Sequence, residues 1–172
     1  PNDNPPQDDH GRVEVPTWRH ALINYPHPLL KQGLVILDTP GLNALGAEPE
    51  LTLNMLPSAH AVLFILAADT GVTKSDIEIW HNHIGSRKDD PNRGRLVVLN
   101  KIDGLWDELR NEDEVNREIA RQVDETAKIL NIPSHNVYPV SAQKALLGKI
   151  RQDDAVLERS RIRLLEDALA KE

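Results

Sequence analysis

Three four-residue stretches carry side chains suited to holding a phosphorylated purine. Asp38-Thr39-Pro40-Gly41, Asn100-Lys101-Ile102-Asp103 and Ser141-Ala142-Gln143-Lys144 each begin where a short apolar run ends. A carboxylate such as Asp38 can hold magnesium through water, and Gly41 lets a bare backbone N–H approach a terminal phosphate. Asp103 can accept two hydrogen bonds, from the ring N–H and the exocyclic amine of guanine. Adenine offers no such donor pair and would leave the carboxylate partly unpaired, a cost large enough to discriminate between the bases. Lys101 would lay its aliphatic stem along the base, Asn100 would tie neighbouring loops together, and the backbone N–H of Ala142 would meet the guanine carbonyl. Each string alone arises readily by chance; three in this order, each closing a strand, do not.

Bringing these loops to one edge requires a particular chain order. Gly33 to Leu37, Ala61 to Ala67 and Arg95 to Leu99 are continuous apolar runs, the mark of parallel strands covered on both faces, and Asn136 to Val140 is a weaker fourth. Helix-like sequence follows each of them. Glu48 to Met55 is short, and Thr73 to Ile84 opens on a T-x-x-D capping pattern. Glu112 to Leu130 repeats Val115, Ile119, Val123 and Ala127 at fourfold spacing, and a last stretch runs from Ser141 to about Ala170 with a break near Gln152-Asp153-Asp154. This alternation predicts an α/β fold: a mostly parallel sheet between helices, with ligands bound beyond the carboxyl ends of the strands. Val13 to Tyr25 reads as one extended strand interrupted by Pro16. Residues 1–12, opening PNDNPPQDDH, lack the apolar side chains a core needs and read as disordered or as a linker remnant.

Composition narrows the classes further. At 172 residues the chain suits one domain with a single core. Its 27 acidic and 20 basic residues leave a net charge of −7, which disfavours a phosphate backbone as partner, so no nucleic acid is expected. With no cysteine there is neither a disulfide framework nor a thiol nucleophile, in keeping with a cytoplasmic setting. The longest apolar run, Ala61 to Ala68, falls far short of the roughly 20 residues of a membrane-spanning helix. His81 and His83 invite a metal reading, but two residues apart on a helix they point about 200° apart around its axis. Trp18, Trp80 and Trp106 read most simply as core or boundary aromatics, with base stacking as the alternative.

The stretches GLVILDTPGLNALGAEPELT (Gly33 to Thr52), LPSAHAVLFILAADTGVTKSD (Leu56 to Asp76), LVVLNKIDGLWDEL (Leu96 to Leu109) and VYPVSAQKALLGKI (Val137 to Ile150) resemble the dynamin-like GTPases of bacteria. The resemblance runs from about Pro16 to the end. It implies a P-loop GTPase-like three-layer α/β/α fold, GTP or GDP as ligand, and Mg2+ as cofactor. It places Asp38 and Gly41 in the second switch as catalytic residues, with Asp38 on the metal. Asn100, Lys101 and Asp103 then recognise guanine, and Ser141 and Ala142 form the loop behind the base. It further implies hydrolysis of GTP, self-association, and membrane remodelling through contacts outside this chain, with the full-length protein cytoplasmic or membrane-associated. Residues 13–152 would be the carboxyl-terminal part of the GTPase domain and 153–172 a helix leading toward a helical bundle.

The sequence departs from that family at one place. The phosphate-cradling pattern G-x-x-x-x-G-K-[ST] is absent from these residues: Gly41 and Gly46 have the glycine spacing but are followed by Ala47 and Glu48. The first strand and phosphate loop are therefore expected upstream of Pro1, and without them the isolated chain is expected to be inactive. Thr17 is the nearest candidate for the threonine that closes over magnesium. A nucleotide-independent assembly or regulatory module, or a degenerate GTPase, stays open as an alternative.

Overall fold

The computed structural model describes residues 21–38, 56, 59–85, 94–107 and 109–170. The chain divides into two units, Pro1–Leu37 and Asp38–Glu172.

In the first unit one helical turn, α1 (Pro28–Lys31), starts where Pro28 presets the backbone, and the His27 side chain accepts from the Leu29 N–H. The run from Gly33 to Leu37 departs from expectation: it forms no strand, and Val35, Ile36 and Leu37 stand 81%, 69% and 58% exposed. A strand is held by a neighbour that takes its N–H and C=O groups, and this run forms no ladder with any described residue. The same correction applies to residues 21–25 of the expected first strand, where Leu22, Ile23 and Tyr25 are exposed. The rest of that strand, the Glu48 to Met55 helix, Thr17, Trp18 and Gly41 lie outside the described residues.

The second unit follows the predicted alternation. Strands β1 (Val62–Ala67), β2 (Arg95–Asn100) and β3 (Val137–Pro139) form a parallel sheet in the order β1-β2-β3. Val62 pairs with Arg95 and Val97 with Val137. The central strand is buried on both faces, as its unbroken apolar run requires. One face, with Val97 and Leu99, packs with Phe64, Trp80, Ile119 and Leu130 in the larger core. Val98, on the other face, packs with Val140 and Leu165 in a smaller one. Helices thus cover the sheet on both sides, as the three-layer expectation required.

The helices begin where their caps dictate. Helix α2 (Lys74–Ile79) and helix α3 (Glu112–Leu130) both open with reciprocal capping boxes, Thr73 with Asp76 and Asn111 with Glu114. Helix α2 continues into one π-helical stretch, Trp80–Ile84, whose Trp80 ring N–H donates to the Leu130 carbonyl at 3.1 Å and fastens it to the end of α3. After β3 come α4 (Ala142–Arg151), α5 (Asp154–Arg159) and α6 (Ile162–Leu169). The expected break falls at Gln152, in the left-handed region; a second, at Ser160 and Arg161, was not signalled by glycine or proline. Helices α4 and α5 approach so closely that a Cβ on Gly148 would sit 2.9 Å from the Leu157 nitrogen.

Candidate nucleotide site

The carboxyl end of β2 is stitched to both neighbours. The Asn100 carbonyl accepts from the Ala68 N–H at 2.8 Å on the β1 side, and the Val140 carbonyl accepts from the Ile102 N–H at 3.3 Å on the β3 side. The chain then turns through Lys101, at φ 65° and ψ 30°, into a short 3-10 turn, Ile102–Leu105. A lysine held in the left-handed region is strained. Asn100 holds it there: its Oδ1 accepts from the Lys101 N–H at 2.8 Å and from the Ala142 N–H at 3.1 Å. Asn100 thus ties two loops together, as its position suggested. The Ala142 N–H expected to meet a guanine carbonyl is engaged by Asn100 in this arrangement.

Ser141 orients Asp103. Its hydroxyl oxygen accepts from the Lys144 N–H at 3.1 Å as the cap of α4, which directs the hydroxyl proton outward to Asp103 Oδ1 at 2.6 Å. Asp103 Oδ2 has no partner among the described residues, and Asp103 lines an open groove of about 550 Å³. The arrangement presents a fixed carboxylate edge with accepting capacity left over, which is the chemistry that reads two adjacent N–H groups. Lys101 Nζ pairs with Asp69 Oδ2 at 3.1 Å, with both side chains about half exposed. Asp69, in the turn after β1, was missed by the sequence reading; its only signal was its place after a strand.

Trp106, half-buried, sits three residues after Asp103 and carries two cations. The Arg159 guanidinium lies 4.3 Å from its ring centre and Lys144 Nζ 5.9 Å. Arg159 was also missed, since nothing marks one arginine in a charged helix as special. Trp80 is buried in the core as expected. His81 and His83 are exposed, and no group of three acidic or histidine side chains suited to a metal occurs among the described residues. Asp38 is exposed at the end of the segment that forms no strand. Five of the expected site residues, Asn100, Lys101, Asp103, Ser141 and Ala142, therefore come together around the ends of β2 and β3. No helix among the described residues is long and apolar enough to cross a membrane.

Parallel strands between two helical layers, with polar loops gathered at their carboxyl ends, define a doubly wound α/β fold of the kind that binds ligands at that edge. Within that class the chain belongs to the dynamin family, whose profile matches residues 6–102. It is 27% identical over 159 residues to the "Bacterial dynamin-like protein" of Nostoc punctiforme, covering 83% of this chain and 22% of that protein. It is 32% identical over 126 residues to the "Probable transmembrane GTPase FZO-like, chloroplastic" of Arabidopsis thaliana, covering 73% of this chain and 13% of that one. The chain therefore spans only a minor part of these relatives. It also aligns loosely, at a TM-score of 0.48 and 23% identity, with Aquifex aeolicus Era bound to GDP and AlF4-, over 78% of this chain and 38% of that one.

Proposed function

We propose that this chain supplies the base-reading part of a dynamin-like GTPase. In this reading Asp103 accepts from the ring N–H and exocyclic amine of guanine, Lys101 covers the base with its stem, and Asn100, Ser141 and Ala142 fix the two loops. The observation that carries it is the Ser141 hydroxyl held on Asp103 Oδ1 at 2.6 Å, with Oδ2 unpartnered among the described residues. Asp38 and Gly41 serve the phosphate end. A lone carboxylate fits magnesium, which keeps several waters and takes phosphate oxygens as its other ligands. A magnesium ion held there through water by Asp38 would supply positive charge to the phosphate end of GTP. Self-association and membrane remodelling belong to the same proposal at the level of the full-length protein.

The test is calorimetric titration of the full-length protein and its Asp103→Asn variant with GDP and XDP. Losing an acceptor for two donors lowers GDP affinity by roughly 100-fold. It also gains the xanthine nucleotide, whose second carbonyl accepts where guanine donates. Unchanged guanine preference in the variant overturns the reading. Absence of guanine-specific heat in the unaltered protein favours the nucleotide-independent assembly role instead.

A further inference from the structure

Three consecutive residues at the unexpected break between α5 and α6 each grip a different element around Asp103. The Arg159 guanidinium stacks on Trp106, whose N–H donates to the Asp103 carbonyl at 3.1 Å and closes the 3-10 turn. The Ser160 carbonyl accepts from the Ser141 N–H at 2.9 Å, and Ser160 is completely buried. Arg161 donates to Asn116 Oδ1 on α3 at 2.5 Å, and its own backbone takes the left-handed conformation at φ 58°. The left-handed backbone at Arg161 turns the chain sharply enough for the three residues to face three different elements.

We propose that Arg159-Ser160-Arg161 is a positioning clip for Asp103, holding the Trp106 turn and the Ser141 loop at the separation that sets the carboxylate's angle to the base. Arg159 acts through Trp106, Ser160 through Ser141, and Arg161 anchors the clip to α3. Among the described residues the Arg159 guanidinium has only Trp106 as a partner. The inference rests on Asp103 being the base-reading carboxylate.

Inosine lacks guanine's exocyclic amine, so the ratio of GDP to IDP affinity reports the hydrogen bond whose angle the clip controls. The experiment measures that ratio by calorimetry in the full-length protein. Arg159→Gln is expected to lower the ratio about threefold, and Trp106→Leu to do the same. Arg159→Lys, which keeps a cation over the ring, restores most of it. The double variant loses no more than either single one, because the pair acts as a unit. Arg159 is exposed, so a melting curve close to the parent's is expected and separates positioning from unfolding. A ratio unmoved by Arg159→Gln, in a protein where Asp103→Asn abolishes it, refutes the clip, as do fully additive losses in the double variant. A ratio unmoved by Asp103→Asn refutes the base-reading assignment and the clip with it.

Discussion

Two segments of this chain look alike as sequence and end in opposite states. GLVILD and RLVVLN are each an apolar run closed by a polar residue. The second is the central strand, with Val97 and Leu99 at 0% and 1% exposure; the first leaves Val35 81% exposed. The difference lies in their neighbours. Arg95–Asn100 has a parallel partner on each side and a helical layer on each face. Gly33 to Leu37 has no ladder partner among the described residues. Hydrophobicity sets what a strand gains by being covered, while the coverage itself comes from elements far away in sequence.

The comparison can be broken most directly at matched positions. Leu99→Ala removes a fully buried side chain and should cost about 2–5 kcal/mol in urea unfolding, whereas Ile36→Ala should stay within about 0.5 kcal/mol. Equal costs would mean that Gly33 to Leu37 is covered in solution. Ser141→Ala comes next: it removes the α4 cap and should lower stability by about 1–2 kcal/mol. It should also cut the GDP-to-IDP ratio, a loss that a cap without a role in positioning Asp103 would not produce. Lys101→Gly separates stability from binding. Relief of the left-handed strain should hold or raise stability by up to about 1 kcal/mol, while guanine nucleotides bind more weakly for want of the covering stem.

The smallest effect lies on the solvent face of α3. There Arg121 hydrogen-bonds Glu118 and Glu125, and Arg121 with Gln122 pulls the Glu118 carboxyl from 4.5 down to about 2. Because the folded value is the lower one, this pairing stabilises the protein fully above about pH 4.5 and is lost as the pH falls toward 2. Arg121 is 55% exposed, so solvent screening keeps the contribution small. Melting Arg121→Ala against the parent at pH 6 and at pH 3 should show the difference shrinking at the lower pH.

How far the sequence could be read follows from the same contrast. Helix Glu112–Leu130 was legible to the residue, because its fourfold apolar spacing is local. The unbroken apolar run marked the central strand correctly but marked Gly33 to Leu37 in the same way, because the run shows what coverage would gain and not whether a partner is there. The convergence of Asn100, Asp103 and Ser141 followed from the rule that loops gather at the carboxyl ends of parallel strands. The grip of Arg159 on Trp106 and of Asp69 on Lys101 was not legible. Each joins residues distant along the chain, and neither partner has a pattern around it that periodicity or capping could reveal.

The parallel sheet also fixes when the site can exist during folding. No hairpin can bring two of these strands together, and the bonds that shape the base-reading edge are longer-range than any helical turn. Ser141 reaches back 38 residues to Asp103, and Ala142 reaches back 42 to Asn100. Closing such loops costs entropy before any contact repays it, so these bonds form late, after the helices have taken shape. A half-folded chain therefore holds helices but not the joined loops of the proposed guanine site. Nucleotide can reward only the finished fold, and should slow unfolding while leaving the early steps of folding untouched.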